Sequence, residues 1–464
     1  MASNNKRGSF SSSLGFVLAA AGSAVGLGNI WRFPYLAAKD GGGFFLLVYI
    51  ILAITFGFTL LISEVSIGRK TRQSSLTAYS KLDKRFGWLG GFSALVPFLI
   101  FPYYCIIGGW VLKYTVTFVT GYGVQASQDS YFTGFITSKA SPVIFDLVFL
   151  AATAAVVFGG VNKGIERLSK VLMPVLLLMV IGIAVFSITL RSGGTGRTGL
   201  DGLKVYLIPD FAGLTFKKIV MTLMDAVGQL FYSISVAMGI MVTYGSYFND
   251  DSNLVKSVNQ IEIFDTAVAI IAGVMIIPAV YVFMGPEGMT AGPGLMFVAL
   301  PKVFAAMGKL GNVVGSIFFI MVLLAALTSS VSILETVVAS IMDKFGTKRN
   351  KAVIIESIIG FILGVVICFG YNYFYFEIKL PNTPPDGSAQ MLDIFDYLSN
   401  NIFMPIVAIG TCILIGWVLS PSVVIDEATK NGEKMGRKGL YKIMVRFVVP
   451  ILLILLLLGS FGLL

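Results

Sequence analysis

The sequence contains no histidine. That excludes histidine metal sites, histidine general bases and histidine proton relays together. Cysteine is scarce: Cys105, Cys368 and Cys412 all fall in apolar segments. They read as small core residues, not as a disulfide framework or a metal set. Charge is scarce as well. Only 12% of residues are charged, about half the share of a soluble domain. No catalytic motif is present, so a membrane enzyme would lack its machinery.

What is abundant is apolar surface. Hydrophobic residues make up 56% of the chain, in long blocks at 44–63, 142–159, 171–190, 263–284, 313–334, 354–369, 402–419 and 447–464. Each approaches the roughly 20 residues a helix needs to cross hydrocarbon. The chain therefore reads as a polytopic, all-α membrane protein in a lipid bilayer, not a soluble protein with buried helices. The formal charge of +10 follows topology and does not suggest a nucleic-acid partner. With a cytoplasmic N-terminus and alternating spans, the clusters at 6–7, 69–72 with 81–85, 163–170, 344–351 and 430–446 all lie inside, as the positive-inside rule requires. Arg191, Arg197, Lys204, Lys217 and Lys218 fall outside, in long loops where the rule is weak. The polar stretch 1–13 lacks the features of a cleavable signal, so the first helix is expected to remain a span.

Eleven spans are expected, near 14–38, 43–69, 88–120, 142–159, 168–190, 216–248, 255–284, 309–343, 350–371, 391–420 and 441–463. The odd count places the C-terminus outside. The outer connection 285–308 holds Pro286, Pro293 and Pro301 and should break into short helices, suited to a lid.

Two spans are irregular. The first contains Gly22-Ser23-Ala24-Val25-Gly26-Leu27-Gly28-Asn29; the sixth contains Gln229-Leu230-Phe231-Tyr232-Ser233-Ile234-Ser235-Val236-Ala237-Met238-Gly239. Each alone fits close helix packing equally well. Their positions, five spans apart, also fit paired interrupted helices in two inverted halves, a pointer to a transporter's central site. Unwound backbone frees carbonyls for a hard cation and half-helix N-termini for a carboxylate. A channel would want repeated polar rings along a pore, and only one mid-membrane polar cluster is evident.

The string Gly26-Leu27-Gly28-Asn29-Ile30-Trp31-Arg32-Phe33-Pro34-Tyr35 resembles the neurotransmitter:sodium symporters, in particular their bacterial amino-acid branch. Gly41-Gly42-Gly43, Glu64, Tyr103-Tyr104, Gln229, the run from Tyr244 to Tyr247, and Ala325 to Ser330 extend the resemblance over nearly the whole chain. It implies one transporter domain (1–464), with inverted repeats 14–190 and 216–420 and a final span 441–463. It implies two sodium sites: Ala24, Asn29, Ser233 and Asp265 at the first, Gly22, Val25, Ala325, Thr328 and Ser329 at the second. Many relatives carry asparagine at Asp265 and depend on chloride; here the neighbouring position is Ala269, so chloride is not expected.

By the same resemblance, Gly26 stands where amine-transporting members have an aspartate, which points to an α-amino acid. Its contacts would be Ala24, Gly26, Leu27, Gly28, Tyr104, Ser233 and Ser329, with Ile100, Ile107, Tyr232, Ser235, Met238, Ser330 and Ile333 around the side chain. That lining suits hydrophobic, including aromatic, side chains. Arg32 and Asp396 bridged by Gln229 would form the outer gate, and Arg7 with Asp343 the inner one. Glu64 would brace unwound backbone. The expected activity is sodium-coupled import across the plasma or inner membrane by a monomer or weak homo-oligomer. A sensor with a transporter fold, or a transporter of another small zwitterion, is the alternative.

Overall fold

The computed structural model describes residues 8–463 apart from 193, 212–213, 290–291, 382 and 384–386. Long apolar runs satisfy their backbone groups internally only as helices, the requirement for crossing a bilayer. No strand forms among the described residues; three isolated bridges join loops. The principal helices are α1 (Ser13–Ala24), α2 (Gly28–Lys39), α3 (Gly43–Thr71), α4 (Lys84–Val119), α5 (Ser141–Phe158), α6 (Val161–Thr189), α7 (Gly199–Leu207), α8 (Phe216–Ser233), α9 (Ile240–Ser246), α10 (Leu254–Met284), α11 (Leu295–Ala306), α12 (Gly308–Phe345), α13 (Arg349–Phe369), α14 (Met391–Val418) and α15 (Lys438–Ser460).

Among the described residues, nine helices are long and apolar enough to cross a membrane, or ten when α1 and α2, bent by 55°, are one span. The expected span at 216–248 is present as two pieces, α8 and α9, separated by Ile234–Gly239. Neither piece is long and apolar enough to span alone: α8 carries Lys217, Lys218 and Asp225, and α9 has seven residues. The outer connection with three prolines does hold short helices, Pro286–Gly288 and α11.

The surface is apolar where lipid would lie. Leu47, Ile51, Leu147, Val171, Leu178, Val185, Ile358, Ile362 and Ile451 are exposed, while Asn29, Gln229 and Asp265 are fully buried. This inverts the soluble pattern. Inside, α12 runs along α4, and α9 lies against α3. The second contact is backbone on backbone: a Cβ on Gly68 would lie 1.9 Å from the Val242 carbonyl oxygen, and one on Gly245 2.4 Å from that of Val65. Small residues at these positions let α3 carry α9, and so one side of the central site, at close range.

Candidate functional site

The first helix stops at Ala24, and Val25 turns extended with its N–H still bonded to the Ala21 carbonyl at 2.7 Å. The second break is sharper. Ser235, Ala237 and Gly239 have φ of 53°, 62° and 71°, a conformation that costs a residue with a Cβ and persists only where surroundings hold it. The holding groups are visible. The Ser235 hydroxyl donates to the Ser23 carbonyl at 3.0 Å, and the Ser23 hydroxyl donates back to Ser235 Oγ at 3.1 Å. The Ala237 N–H donates to Glu64 Oε1 at 2.6 Å. The two breaks thus brace each other, and α3 braces the second through Glu64.

Between the breaks lies a cavity of 30 Å³. Ala24, Gly26, Leu27, Gly28, Ile100, Tyr104, Tyr232, Ser233, Ser235, Met238, Ser329 and Ile333 line it. The structure places two expected lining residues elsewhere. Ile107, two turns along α4 from Ile100, faces an outer cavity. Ser330 turns to the scaffold, its hydroxyl 2.8 Å from that of Thr153. Asn29, expected at the first sodium site, also lines it, and Ser23 and Ile240 join unforeseen; Ser23 belongs to the irregular run already noted, and Ile240 follows the last glycine of the second break.

Polar groups gather on two sides of this cavity. On one, Asp265 from α10 accepts from Asn29 Nδ2 at 2.9 Å and from the Ser233 hydroxyl at 2.8 Å through one oxygen, and from the Tyr49 hydroxyl at 3.5 Å through the other. Asn29 Oδ1 accepts from the Gly26 N–H at 3.1 Å. Ala24 lines the same cavity, and Ala269, one turn along α10, is buried and offers no polar atom. On the other side, the Ser329 hydroxyl donates to the Gly22 and Ser23 carbonyls at 3.3 and 3.1 Å. Thr328 Oγ1 donates to the Ala325 carbonyl at 3.0 Å, and a Cβ on Gly22 would lie 3.3 Å from Thr328 Cβ. Val25 is buried at the end of α1. Both clusters consist of carbonyl, hydroxyl and amide oxygens, with one carboxylate in the first. Such sets suit a hard monovalent cation. No group of three His, Cys, Asp or Glu that could hold a metal ion exists among the described residues.

Above the cavity, Arg32, Tyr103, Ile107, Tyr232, Asp396 and Asn400 line a larger space of 230 Å³. Arg32 and Asp396 face it without an ion pair between them among the described residues; Asp396 Oδ1 accepts from Asn400 Nδ2 at 2.6 Å. Gln229 bridges neither. Its amide nitrogen donates to the Gly28 carbonyl at 3.2 Å, so it braces the first break. Below, Arg7 lies outside the described residues, and Asp343 accepts from the Ser74 N–H at 2.6 Å. Phe10 closes this end. It is buried edge-on against Phe16 and Tyr244, its N–H bonds the Tyr247 carbonyl at 3.2 Å, and its carbonyl accepts from Asn249 at 2.9 Å. The Tyr247 hydroxyl donates to Glu335 at 2.7 Å, and Glu335 pairs with Arg349. Sequence reasoning missed this half-buried pair, because its members come from two helices and no spacing links them.

Lys39 Nζ, at the end of α2, meets Asp225 midway along α8 at 2.7 Å. Asp40 beside them is 5% exposed, with a carboxylate oxygen that has no hydrogen-bond partner. Burial and the nearby Asp225 carboxylate push Asp40 up to about 7, against the opposing pull of Lys39 and Lys218. A raised carboxyl favours folding while protonated, and this contribution fades as pH rises from the ordinary carboxylate range through 7. Asp40→Asn should therefore gain thermal stability relative to the native chain between pH 5 and 8, with the difference growing toward pH 8. Melting curves across that range check it; a pH-independent difference would refute it.

Comparison with known proteins adds a family. The profile described as "Sodium:neurotransmitter symporter family" matches residues 7–134 and 134–462. An uncharacterized sodium-dependent transporter of Bacillus subtilis is 34% identical, over all of this chain and 99% of the relative. One from Haemophilus influenzae is 32% identical over 99% of this chain and its own full length. The rat sodium- and chloride-dependent GABA transporter 2 is 25% identical over 91% of this chain and 75% of its own. The crystal structure of MhsT in complex with L-phenylalanine superposes with a TM-score of 0.83 at 34% identity, covering 98% of this chain and all of MhsT.

Proposed function

The chain belongs to the sodium:neurotransmitter symporter family, and from that premise we propose that it imports hydrophobic, including aromatic, L-amino acids with sodium and without chloride. The family makes it a multi-pass, sodium-dependent membrane transporter and not an enzyme. The observation that carries the finer reading is the cavity between the two breaks: polar at its backbone end, apolar where Ile100, Met238 and Ile333 face it.

In this reading the substrate carboxylate lies against the Leu27 and Gly28 amides at the start of α2, where a helix N-terminus favours an anion. The Tyr104 hydroxyl, 3.3 Å from a Cβ placed on Gly26, donates to the same carboxylate. The side chain points among Ile100, Tyr232, Met238 and Ile333. The 30 Å³ cavity is well below the roughly 150 Å³ of a cavity that admits benzene, so an aromatic side chain needs a neighbour that yields. Met238, unbranched and flexible, is suited to that. MhsT was solved with L-phenylalanine, which supports an aromatic substrate here.

Two sodium ions accompany the substrate as cargo. Ala24, Asn29, Ser233 and Asp265 would receive one; Gly22, Val25, Ala325, Thr328 and Ser329 the other. Because the first shares its site with the substrate, each raises the other's affinity. The Asp265 carboxylate supplies the negative charge for which chloride would otherwise serve. Residues 14–190 and 216–420 act as inverted repeats, each opening on a broken helix, with 441–463 following. Opening alternates between the Arg32–Asp396 side and the Phe10–Asp343 side. The N-terminus is cytoplasmic, the C-terminus is outside, and the protein works as a monomer or weak homo-oligomer.

The test is uptake into proteoliposomes under an inward sodium gradient, with all twenty amino acids as competitors. Leucine, methionine, phenylalanine and tryptophan should compete and aspartate and lysine should not, whether chloride or gluconate is the anion. Failure to accumulate substrate while still binding it would instead favour a sensor.

A further inference from the structure

On the lipid-facing surface, helices α6 and α12 part over Leu178, Met179, Gly182, Ile183 and Phe186, with Val314 and Ile317 opposite, leaving a groove of 460 Å³. Leu178 is 71% exposed, so the groove opens sideways to the bilayer. Glycine keeps it open: a Cβ on Gly182 would meet no atom within 4 Å. From 178 to 186 the helix rises about 12 Å, and every lining side chain is apolar.

At this end a small inward recess of 10 Å³ shares Ile183, Phe186 and Val314 and is closed by Met275, Ile276 and Leu300 from α10 and α11, so the groove itself stays at the surface. Just beyond Leu190 and Met307 the chain exposes Arg191 and Lys309. The acid in the adjoining loop, Asp201, is engaged by Thr198 and Lys204. Along α6 and α12 the surface therefore offers hydrocarbon, then two cations.

A phospholipid has the same order, acyl chain and then phosphate. We propose that the α6–α12 groove binds one acyl chain of an anionic phospholipid, with Arg191 and Lys309 holding its headgroup. The apolar stretch alone would accept any hydrocarbon. The cations add attraction for negative lipid. None of these residues belongs to the transport site, so the site stands or falls independently of the substrate reading.

The experiment uses the full chain in bilayers containing phosphatidylglycerol with a photoactivatable group in its acyl chain, with crosslinked residues mapped by mass spectrometry. Labels should concentrate at 178–186 and 314–317. Excess unlabelled phosphatidylglycerol should displace them, and phosphatidylcholine should not. Gly182→Leu, which fills open space, should cut labelling about tenfold while sodium-driven uptake persists. Arg191→Ala with Lys309→Ala should erase the preference for phosphatidylglycerol. Even labelling over all lipid-facing helices, or labelling unchanged by Gly182→Leu, overturns the site. Equal displacement by the two lipids overturns the anionic headgroup. The displacement measurement on the native chain decides the matter even if a variant fails to fold.

Discussion

Asp265→Asn should raise the sodium concentration needed for half-maximal uptake about 100-fold. Asp265 is fully buried, and its carboxylate is the acceptor on which Asn29, Ser233 and Tyr49 converge. Asparagine has nearly the same shape, so packing survives and the charge alone is removed. Close buried charge pairs show couplings of about 1.5–7 kcal/mol, and a mid-range loss of about 3 kcal/mol is about two decades of affinity. Because the substrate shares that cluster, its affinity should fall in step. Uptake by the native chain should be the same in chloride and in gluconate. Chloride should not rescue Asp265→Asn alone, since Ala269 offers the anion no hydrogen bond; Asp265→Asn with Ala269→Ser should regain a chloride-stimulated component. Sodium titrations of uptake in both anions measure all of this. A shift of twofold or less, or a native chain that needs chloride, would remove the assigned role of Asp265.

Gly26→Asp should abolish amino-acid uptake to the limit of detection, a loss of more than about 100-fold. A Cβ at Gly26 lies 2.9 Å from Ser329 Oγ and 3.3 Å from the Tyr104 hydroxyl oxygen. A carboxylate built from that point occupies the place proposed for the substrate's own, and like charges set together cost several kcal/mol. Gly26→Ala separates crowding from charge: it should weaken uptake but leave it measurable, because the Ser329 side chain can rotate. The aspartate variant should instead show sodium-dependent binding of phenethylamine, which lacks a carboxylate and which the native chain should ignore. Retained phenylalanine uptake by Gly26→Asp would show that the carboxylate binds elsewhere.

Some of this site was legible because it is contiguous in sequence. Gly22 to Asn29 and Gln229 to Gly239 could be singled out because small and polar residues are out of place in a spanning helix. Their partners were harder to see. Glu64 could be named as a brace, yet its partner, the Ala237 N–H, depends on the backbone path of the second break. Gln229 was expected between Arg32 and Asp396 and instead holds the Gly28 carbonyl. Ser330 sits beside Ser329 in sequence, but helical rotation of about 100° per residue turns it to Thr153. Ile107 shares α4 with Ile100, and its two-turn displacement puts it in the outer cavity.

By itself, the sequence determined that this is a helical, many-spanning membrane protein with two irregular helices, because hydrophobic length and the demand for internal hydrogen bonds leave few other solutions. Its motifs also determined the family. Only the tertiary structure decided which side chains meet. It set Asp265 on Asn29 and Ser233 across 236 and 32 residues of chain, left Arg32 and Asp396 facing one cavity with no ion pair between them among the described residues, and opened the groove at Gly182. Those outcomes depend on helix rotation and approach distance, which glycines such as Gly68 and Gly245 permit but which no local pattern encodes.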